Sequence, residues 1–263
     1  MSRAYPLAFK AIALWGLLLL TGCEKEVPDE APDTPALYAC MLSVPSDTYT
    51  FPIKPGTPEW AALPSGGAKV QACQLPASVL QKISTRGLAA TCMDYPLLSS
   101  MLAYTSLQRG VRSQLENFNG FGELRQRSDA AVTLLDRYSR MQATCLPDSV
   151  RRGEYSLIFS YLEMILSQDE YLTRLSPSER HTLLREALTK YAHKKLRVGD
   201  VYGIFGLKTT AFLLARLMQT ERYAPFVTAV SSDPLLKTFT TDVDLQGQPQ
   251  TLDIIIEHAT KFN

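Results

Sequence analysis

From residue 75 to the end of the chain, apolar residues recur every three or four positions, the spacing of one α-helical face. Val79 and Ile83 begin this pattern. Residues 155–166 and 206–218 are apolar almost all round, which predicts central buried helices. The pattern predicts an all-α fold, either an irregular multi-helix bundle or an α-solenoid-like array of short helices without a clean repeat.

Local signals predict several helix ends. Ser176 is suited to cap a helix N-terminus, and Glu179 would complete a capping box with it. Tyr95 precedes a proline, which disfavours the α conformation and should end a helix. Gly120 is expected to end another helix in the left-handed conformation. The cationic run 193–197 is expected at a helix C-terminus, where it opposes the negative end of the dipole.

Residues 37–72 differ from the helical region that follows them. They are rich in Pro, Gly, Ser and Thr, and the prolines break any long helix. We interpret them as an irregular strap lying against the body, with Trp60 as its anchor. Pro58 would start a short helical turn, and residues 48–53 would form an extended edge. A partly disordered extension is the alternative interpretation. Residues 73–263 would then form the helical domain.

The first 22 residues have the organisation of a secretory signal: Arg3 and Lys10, then the apolar run 11–20, then small residues. That run is too short for a transmembrane helix, which needs about 20 residues. The sequence L-T-G-C at 20–23 resembles the lipobox of bacterial lipoproteins. The resemblance implies cleavage before Cys23 and fatty acyl chains on that cysteine, which would anchor the protein in a membrane. An ordinary secretory signal with an incidental Cys23 is the alternative.

Residues 23–36 are acidic and rich in proline, which predicts an extended tether between the lipid and the body. Glu24 and Glu26 on either side of Lys25 resemble the export signal that sends lipoproteins of Bacteroides-type bacteria to the cell surface. The resemblance implies an outer-membrane lipoprotein on the outer face of the cell. A plain solvated tether and a periplasmic location are the alternatives. The expected partners are the membrane, through the lipid, and an unidentified protein or glycan.

The balance of charge argues against nucleic acid as a partner. Removing residues 1–22 takes away two basic residues and leaves 25 basic and 26 acidic residues, a net charge of −1 with His neutral. Such a chain lacks the excess of basic residues that attracts the phosphates of nucleic acid.

Four cysteines remain if Cys23 carries the lipid: Cys40, Cys73, Cys92 and Cys145. In an oxidising compartment they allow two disulfides in three connectivities. Cys73 and Cys92 flank one helical segment, which favours that pair. Small buried thiols in a helical core are the alternative. The chain has no C-x-x-C and its three histidines are scattered, so no metal site and no cofactor are predicted.

Glu163 is an unusual carboxylate because it lies within the apolar segment 155–166. A buried carboxylate needs a partner or a raised pKa. An ion pair with an arginine such as Arg216 is the structural interpretation, and a hydrolase site around Glu163 is the functional one. No G-x-S-x-G, H-E-x-x-H or S-x-x-K motif is present, so no catalytic residue is assigned. Ser149 lies in D-S-V, which resembles the D-S/T-x site of O-glycosylation in these bacteria.

A wider resemblance runs from residue 73 to about residue 230. Its motifs are C-Q-L-P at 73–76, T-C-M-D-Y-P-L at 91–97, F-N-G at 118–120, G-L-K-T-T at 206–210 and Y-A-P-F at 223–226. They resemble a family of all-helical lipoproteins and secreted proteins from Bacteroides-type bacteria, and this likeness implies no activity. We therefore expect a lipid-anchored interaction or ligand-binding module. A hydrolase with an unrecognised site near Glu163 and a structural envelope lipoprotein are the alternatives.

Overall fold

The computed structural model describes residues 42–145 and 151–263. Within these two ranges the chain forms helices joined by short turns and has no β-strand. The predicted all-α fold class is therefore confirmed. The predicted signal segment 1–22, the tether 23–36 and residues 37–41 of the strap lie outside the described residues.

The α-helices are α1 (Pro58–Ala61), α2 (Gly66–Ala72), α3 (Ala77–Leu80), α4 (Thr85–Met93), α5 (Leu107–Asn117), α6 (Asn119–Gln126), α7 (Ala130–Arg140), α8 (Arg152–Leu166), α9 (Asp169–Leu172), α10 (Pro177–Leu196), α11 (Gly203–Thr220), α12 (Ala224–Ser232), α13 (Pro234–Asp242) and α14 (Thr251–Phe262). A 3-10 helix (Leu98–Ala103) separates α4 from α5, and a π-helix (Val198–Tyr202) separates α10 from α11.

Helix α11 lies at the centre of the C-terminal half, where it packs against α8, α10 and α14. Phe212, Leu213 and Leu214 on this helix are buried, so the predicted central helix is confirmed. Among the described residues, the segment Val198–Thr220 is the one long and apolar enough to cross a membrane, with a mean hydropathy of 1.3. Because 67% of its most apolar window is buried inside the protein, its packing is that of a core helix.

The predicted helix ends are correct in most places. Ser176 and Glu179 form the expected capping box at the start of α10. The prediction for Gly120 is wrong, since this residue lies near the start of α6 and has no left-handed backbone. A Cβ atom at Gly120 would lie 2.4 Å from the ring of Phe118. Close packing against that ring, and not a helix end, therefore accounts for the glycine.

The predicted strap is only partly irregular. Residues 42–57, which we call the docked strap, have no regular structure, whereas α1 and α2 occupy much of the rest. Residues 48–53 do not form the expected extended edge. Phe51 is the true anchor, because it is 2% exposed, whereas Trp60 is half-buried. The ring of Phe51 contacts Tyr95 and Phe118, with centroids 6.3 and 6.0 Å away.

Polar contacts fix the docked strap along α4. The carboxylate of Asp47 accepts a hydrogen bond from the backbone N–H of Ser84, the N-cap of α4, at 2.6 Å. The backbone N–H of Tyr49 donates to Oγ1 of Thr91, in the last turns of the helix, at 3.0 Å. Lys54 and Asp94 form an ion pair of 3.3 Å at the end of α4. The docked strap therefore follows α4 from its N-terminus to its C-terminus.

Candidate functional site

A groove lies between the docked strap, the C-terminal end of α4 and the N-terminal half of α8. It consists of two adjoining cavities with volumes of about 450 and 480 Å³, which is within the range of small-molecule sites. Met93, Asp94, Glu154 and Ile158 line both cavities. We call this continuous depression the strap groove.

The walls of the strap groove are largely apolar and come from elements far apart in the sequence. Leu42 belongs to the docked strap, Met93 to α4, and Ile158 to α8, while Met141 follows α7. Leu157 of α8 adds to the second cavity. An apolar surface that carries a few polar groups is typical of ligand sites.

Unpaired polar atoms are concentrated in this groove. In the described part of the chain, six buried side-chain N or O atoms lack a hydrogen-bond partner. Four of these six belong to residues that line the groove: Oγ1 of Thr48 and Nε of Arg137 in one cavity, and the hydroxyls of Tyr95 and Tyr161 in the other. Buried polar groups are nearly always paired, and each unpaired one costs about 1–3 kcal/mol.

The two tyrosines are hydrogen-bond donors at neutral pH. Tyr95 is 3% exposed and Tyr161 is 6% exposed. Burial raises the pKa of both hydroxyls above the ordinary value. Each therefore stays protonated and offers an O–H to an acceptor in the groove.

Arg137 is the cation that lines the first cavity of the groove. Its guanidinium makes no hydrogen bond and no ion pair with the residues that the structure describes. Burial lowers the pKa of Arg137, and no carboxylate opposes this effect. Asp136, the nearest acid along α7, pairs instead with Arg140 at 2.8 Å and with Arg86 at 3.7 Å. A half-buried cation thus faces the groove without a counter-charge.

Sequence reasoning did not identify these residues. Arg137 lies three residues after the buried Leu134 and four before the buried Met141, so the helical period places it beside the apolar face of α7. That position is a signal for a half-buried arginine. The sequence contains no comparable signal for the two tyrosines, since an aromatic residue on an apolar face is ordinary core.

Glu163 is buried as predicted, but its partner is not an arginine. Its carboxylate, with no exposed area, forms an ion pair with Lys194, whose Nζ lies 2.8 Å from Oε1 and 2.9 Å from Oε2. Thr209 and Thr210 of α11 donate to it at 2.6 and 2.7 Å, and the hydroxyl of Tyr138 donates at 3.0 Å. The sequence prediction of Arg216 as the partner is wrong.

Arg216 pairs with the exposed Asp169 at 2.5 Å instead. Lys194 was expected among the cations at the end of α10, yet it has no exposed side-chain area. The helical period contains the missing signal, because Lys194 follows the buried Ala187 and Tyr191 on one face of α10. Glu163 lines neither cavity of the strap groove, so we assign it no catalytic role.

The predicted disulfide between Cys73 and Cys92 is wrong. Both are free thiols with no exposed area, and burial raises the pKa of each, which makes them unreactive. The alternative of small buried thiols in a helical core is confirmed for these two. Cys145 is disulfide-bonded.

Three predicted site residues, Cys23, Cys40 and Ser149, lie outside the described residues. In the ranges that are described, no group of three or more His, Cys, Asp and Glu side chains is arranged to hold a metal ion.

Comparison with protein-family models, curated proteins and solved structures finds no match to this chain. The resemblances of the lipobox and of residues 73–230 remain predictions. The function is therefore argued from the chemistry of the strap groove.

Proposed function

We propose that this chain is a lipid-anchored envelope protein that acts outside the cytoplasm as a ligand-binding module, with the strap groove as its binding site. One observation carries the proposal: four of the six described side chains with an unpaired buried polar atom line one apolar groove. Each such atom costs free energy while it is unpaired, and a side chain that turned toward a ligand in the groove would gain a partner.

The distribution of these atoms favours a binding site over scattered packing defects. Tyr95 lies between α4 and the 3-10 helix, and Tyr161 belongs to α8. Arg137 belongs to α7 and Thr48 to the docked strap. They are brought to one concave surface only by the tertiary fold. Specific ligand sites have this form, with a few polar groups placed in an apolar cleft.

The disulfide at Cys145 supports a location outside the cytoplasm. Disulfides persist in oxidising compartments and are rare where thiols are kept reduced. This agrees with a secretory signal over residues 1–22 and with lipid attachment at Cys23. The cell surface is the proposed location, and the periplasmic face of the outer membrane is the alternative.

A neutral fluorescent probe tests the groove. N-phenyl-1-naphthylamine fluoresces strongly in apolar sites and is titrated into the mature chain without its lipid (residues 24–263). Ile158 lines both cavities, so Ile158→Trp should fill the groove and weaken probe binding by about tenfold or more. Ile254→Trp, a partly exposed position on α14, is the matched control and should change the affinity by less than about twofold. Equal binding by both variants would remove the groove as the site.

Mass spectrometry of the native protein tests the anchor. We expect a mature N-terminus at Cys23 that carries fatty acyl chains, and release of the body by protease from intact cells if it faces outward. An unmodified thiol at residue 23 would contradict the proposed location.

A further inference from the structure

We infer that the ligand of the strap groove is an amphipathic anion, with one acidic group that pairs with Arg137 and an apolar body that lies along the groove. This inference rests on the proposed function and identifies the chemical class of its ligand. It depends on the charged residues that line the groove.

Arg137 is the cation without a partner. A guanidinium remains protonated in proteins, and burial of a charge without a counter-charge is costly. A carboxylate or sulfonate in the groove would supply that counter-charge and accept two parallel N–H hydrogen bonds. Because Nε of Arg137 is fully buried, the two terminal nitrogens of the guanidinium are the donors that such a bidentate contact would use.

A third cavity, which shares Leu42, Pro45 and Arg137 with the first cavity of the groove, strengthens the positive field. It is lined by Arg86, Arg137 and Arg140, with Asp136 as its single acid. Leu42 and Pro45 of the docked strap line both this cavity and the first cavity of the groove. Three guanidinium groups against one carboxylate leave a net positive charge around Arg137, which favours an anion.

The two acids of the groove limit where that anion can lie. Asp94 is compensated by Lys54 at 3.3 Å. Glu154 is exposed and lines both cavities, so its charge is solvated and disfavours an anion at this point. Glu154 acts on both cavities, so the position of Arg137, which lines the first cavity and not the second, decides where the acidic group of the ligand lies.

The far end of the ligand should carry a neutral oxygen. Tyr95 and Tyr161 each present a buried hydroxyl without an acceptor in the second cavity. A hydroxyl, ether or carbonyl oxygen would accept these hydrogen bonds without the repulsion that Glu154 imposes on a second anion. The ligand class is thus an apolar chain or ring system with an acid at one end and a neutral oxygen toward the other.

A matched pair of probes separates this inference from the proposed function. The anion 8-anilino-1-naphthalenesulfonate differs from N-phenyl-1-naphthylamine only by its sulfonate. We expect the mature chain (residues 24–263) to bind the anion about tenfold or more tightly than the neutral probe. Arg137→Gln should abolish this preference and leave the neutral probe within about twofold of its original affinity.

Two further variants complete the design. Arg109 is exposed on α5 and lines neither cavity, so Arg109→Gln removes the same charge elsewhere and should keep the preference for the anion. Arg137→Lys keeps the positive charge but lacks the planar guanidinium that makes two parallel hydrogen bonds. It should therefore keep part of the preference for the anionic probe. Because Arg137 has no partner in the described protein, Arg137→Gln should melt at a temperature equal to or above that of the original chain.

Several results would overturn the inference. Equal affinity of the original chain for the two probes, or an unchanged preference in Arg137→Gln, would exclude an anionic ligand while leaving the groove as a binding site. A melting temperature of Arg137→Gln lowered by more than about 5 °C would indicate a structural partner for Arg137. A gain of about tenfold in anion affinity after removal of the acidic residues 24–35 would show that the chain's own tether occupies the groove. Failure of the neutral probe to bind would remove the proposed function as well.

Discussion

At the scale of single residues, the buried carboxylate of Glu163 shows what a sequence can and cannot reveal. Its position in an apolar helix predicted burial correctly. Its partner could not be predicted, because Lys194 belongs to a cationic run that resembles a solvated helix end. Burial lowers the pKa of Lys194 and the charge of Glu163 opposes that effect. The pair is retained in the core because Tyr138, Thr209 and Thr210 satisfy the carboxylate as well.

The Glu163–Lys194 pair leads to a stability prediction. Glu163→Leu and Lys194→Met should each lower the free energy of unfolding by about 3–5 kcal/mol, because each leaves an unpaired buried charge. The double variant should lose clearly less than the sum of the two, since no charge is left behind. Urea unfolding followed by circular dichroism measures all three.

A matched control exists one residue further along α10. Lys195 pairs with Asp253, and their side chains are 59% and 69% exposed. Lys195→Met should therefore change stability by no more than about 0.5 kcal/mol. If the losses in the two buried variants were simply additive, the ion pair would not be the reason for them.

A second prediction at the residue scale concerns Gly110. A Cβ atom at this position of α5 would lie 2.2 Å from the backbone oxygen of Met101 in the 3-10 helix. Gly110→Ala should therefore cost about 1–3 kcal/mol of unfolding free energy through overpacking. Gly122 in α6 has open space around it, and Gly122→Ala should be neutral or stabilising by up to about 1 kcal/mol. Thermal unfolding of both variants checks the contrast, and similar losses would contradict it.

At the scale of elements, the helices could be predicted and the docking of the strap could not. The capping box at Ser176 and the apolar period of α11 are local signals, so they appear in the sequence itself. The anchor of the docked strap depends on distant residues, since Phe51 packs against Tyr95 and Phe118. Trp60 is larger, but no such aromatic cluster receives it. The strap groove was missed for the same reason, because its walls meet only after this docking.

The contact between Asp47 and Ser84 makes the docked strap sensitive to acid. The hydrogen bond from the Ser84 N–H lowers the pKa of Asp47 below 3.8. A lowered folded-state pKa adds stability above the unfolded value, and this stability is lost as pH falls through the folded value. Asp47→Ala should therefore cost about 0.5 kcal/mol at neutral pH, because the carboxylate is exposed.

That cost should shrink as the pH falls through the lowered folded-state pKa of Asp47, because the carboxylate of the original chain is then itself protonated. Urea unfolding at neutral and acidic pH compares the two chains. Ser46→Ala, an exposed neighbour on the docked strap, should change nothing at either pH. A difference between Asp47→Ala and the original chain that persisted at low pH would show that the charge is not its cause.

At the scale of the whole molecule, the cysteines connect the fold to the proposed location. Cys145 is disulfide-bonded, whereas Cys73 and Cys92 are free and buried. The chain has five cysteines, so lipid attachment at Cys23 would leave Cys40 as the partner of Cys145. We therefore expect a disulfide between Cys40 and Cys145, which mass spectrometry of non-reduced peptides would detect. A linked peptide that joined Cys23 to Cys145 would contradict both the pairing and the lipid anchor.

This disulfide would close a loop of about 100 residues, and such loops stabilise the folded chain by about 2–4 kcal/mol. Cys40 immediately precedes the docked strap, and Cys145 follows Met141 at the edge of the groove. Reduction should therefore loosen the docked strap and weaken binding of N-phenyl-1-naphthylamine, and Cys40→Ser should do the same without a reductant. Because Cys73 and Cys92 are free already, Cys92→Ala should leave the effect of reduction unchanged. Equal probe binding before and after reduction would show that the strap groove does not depend on this cross-link.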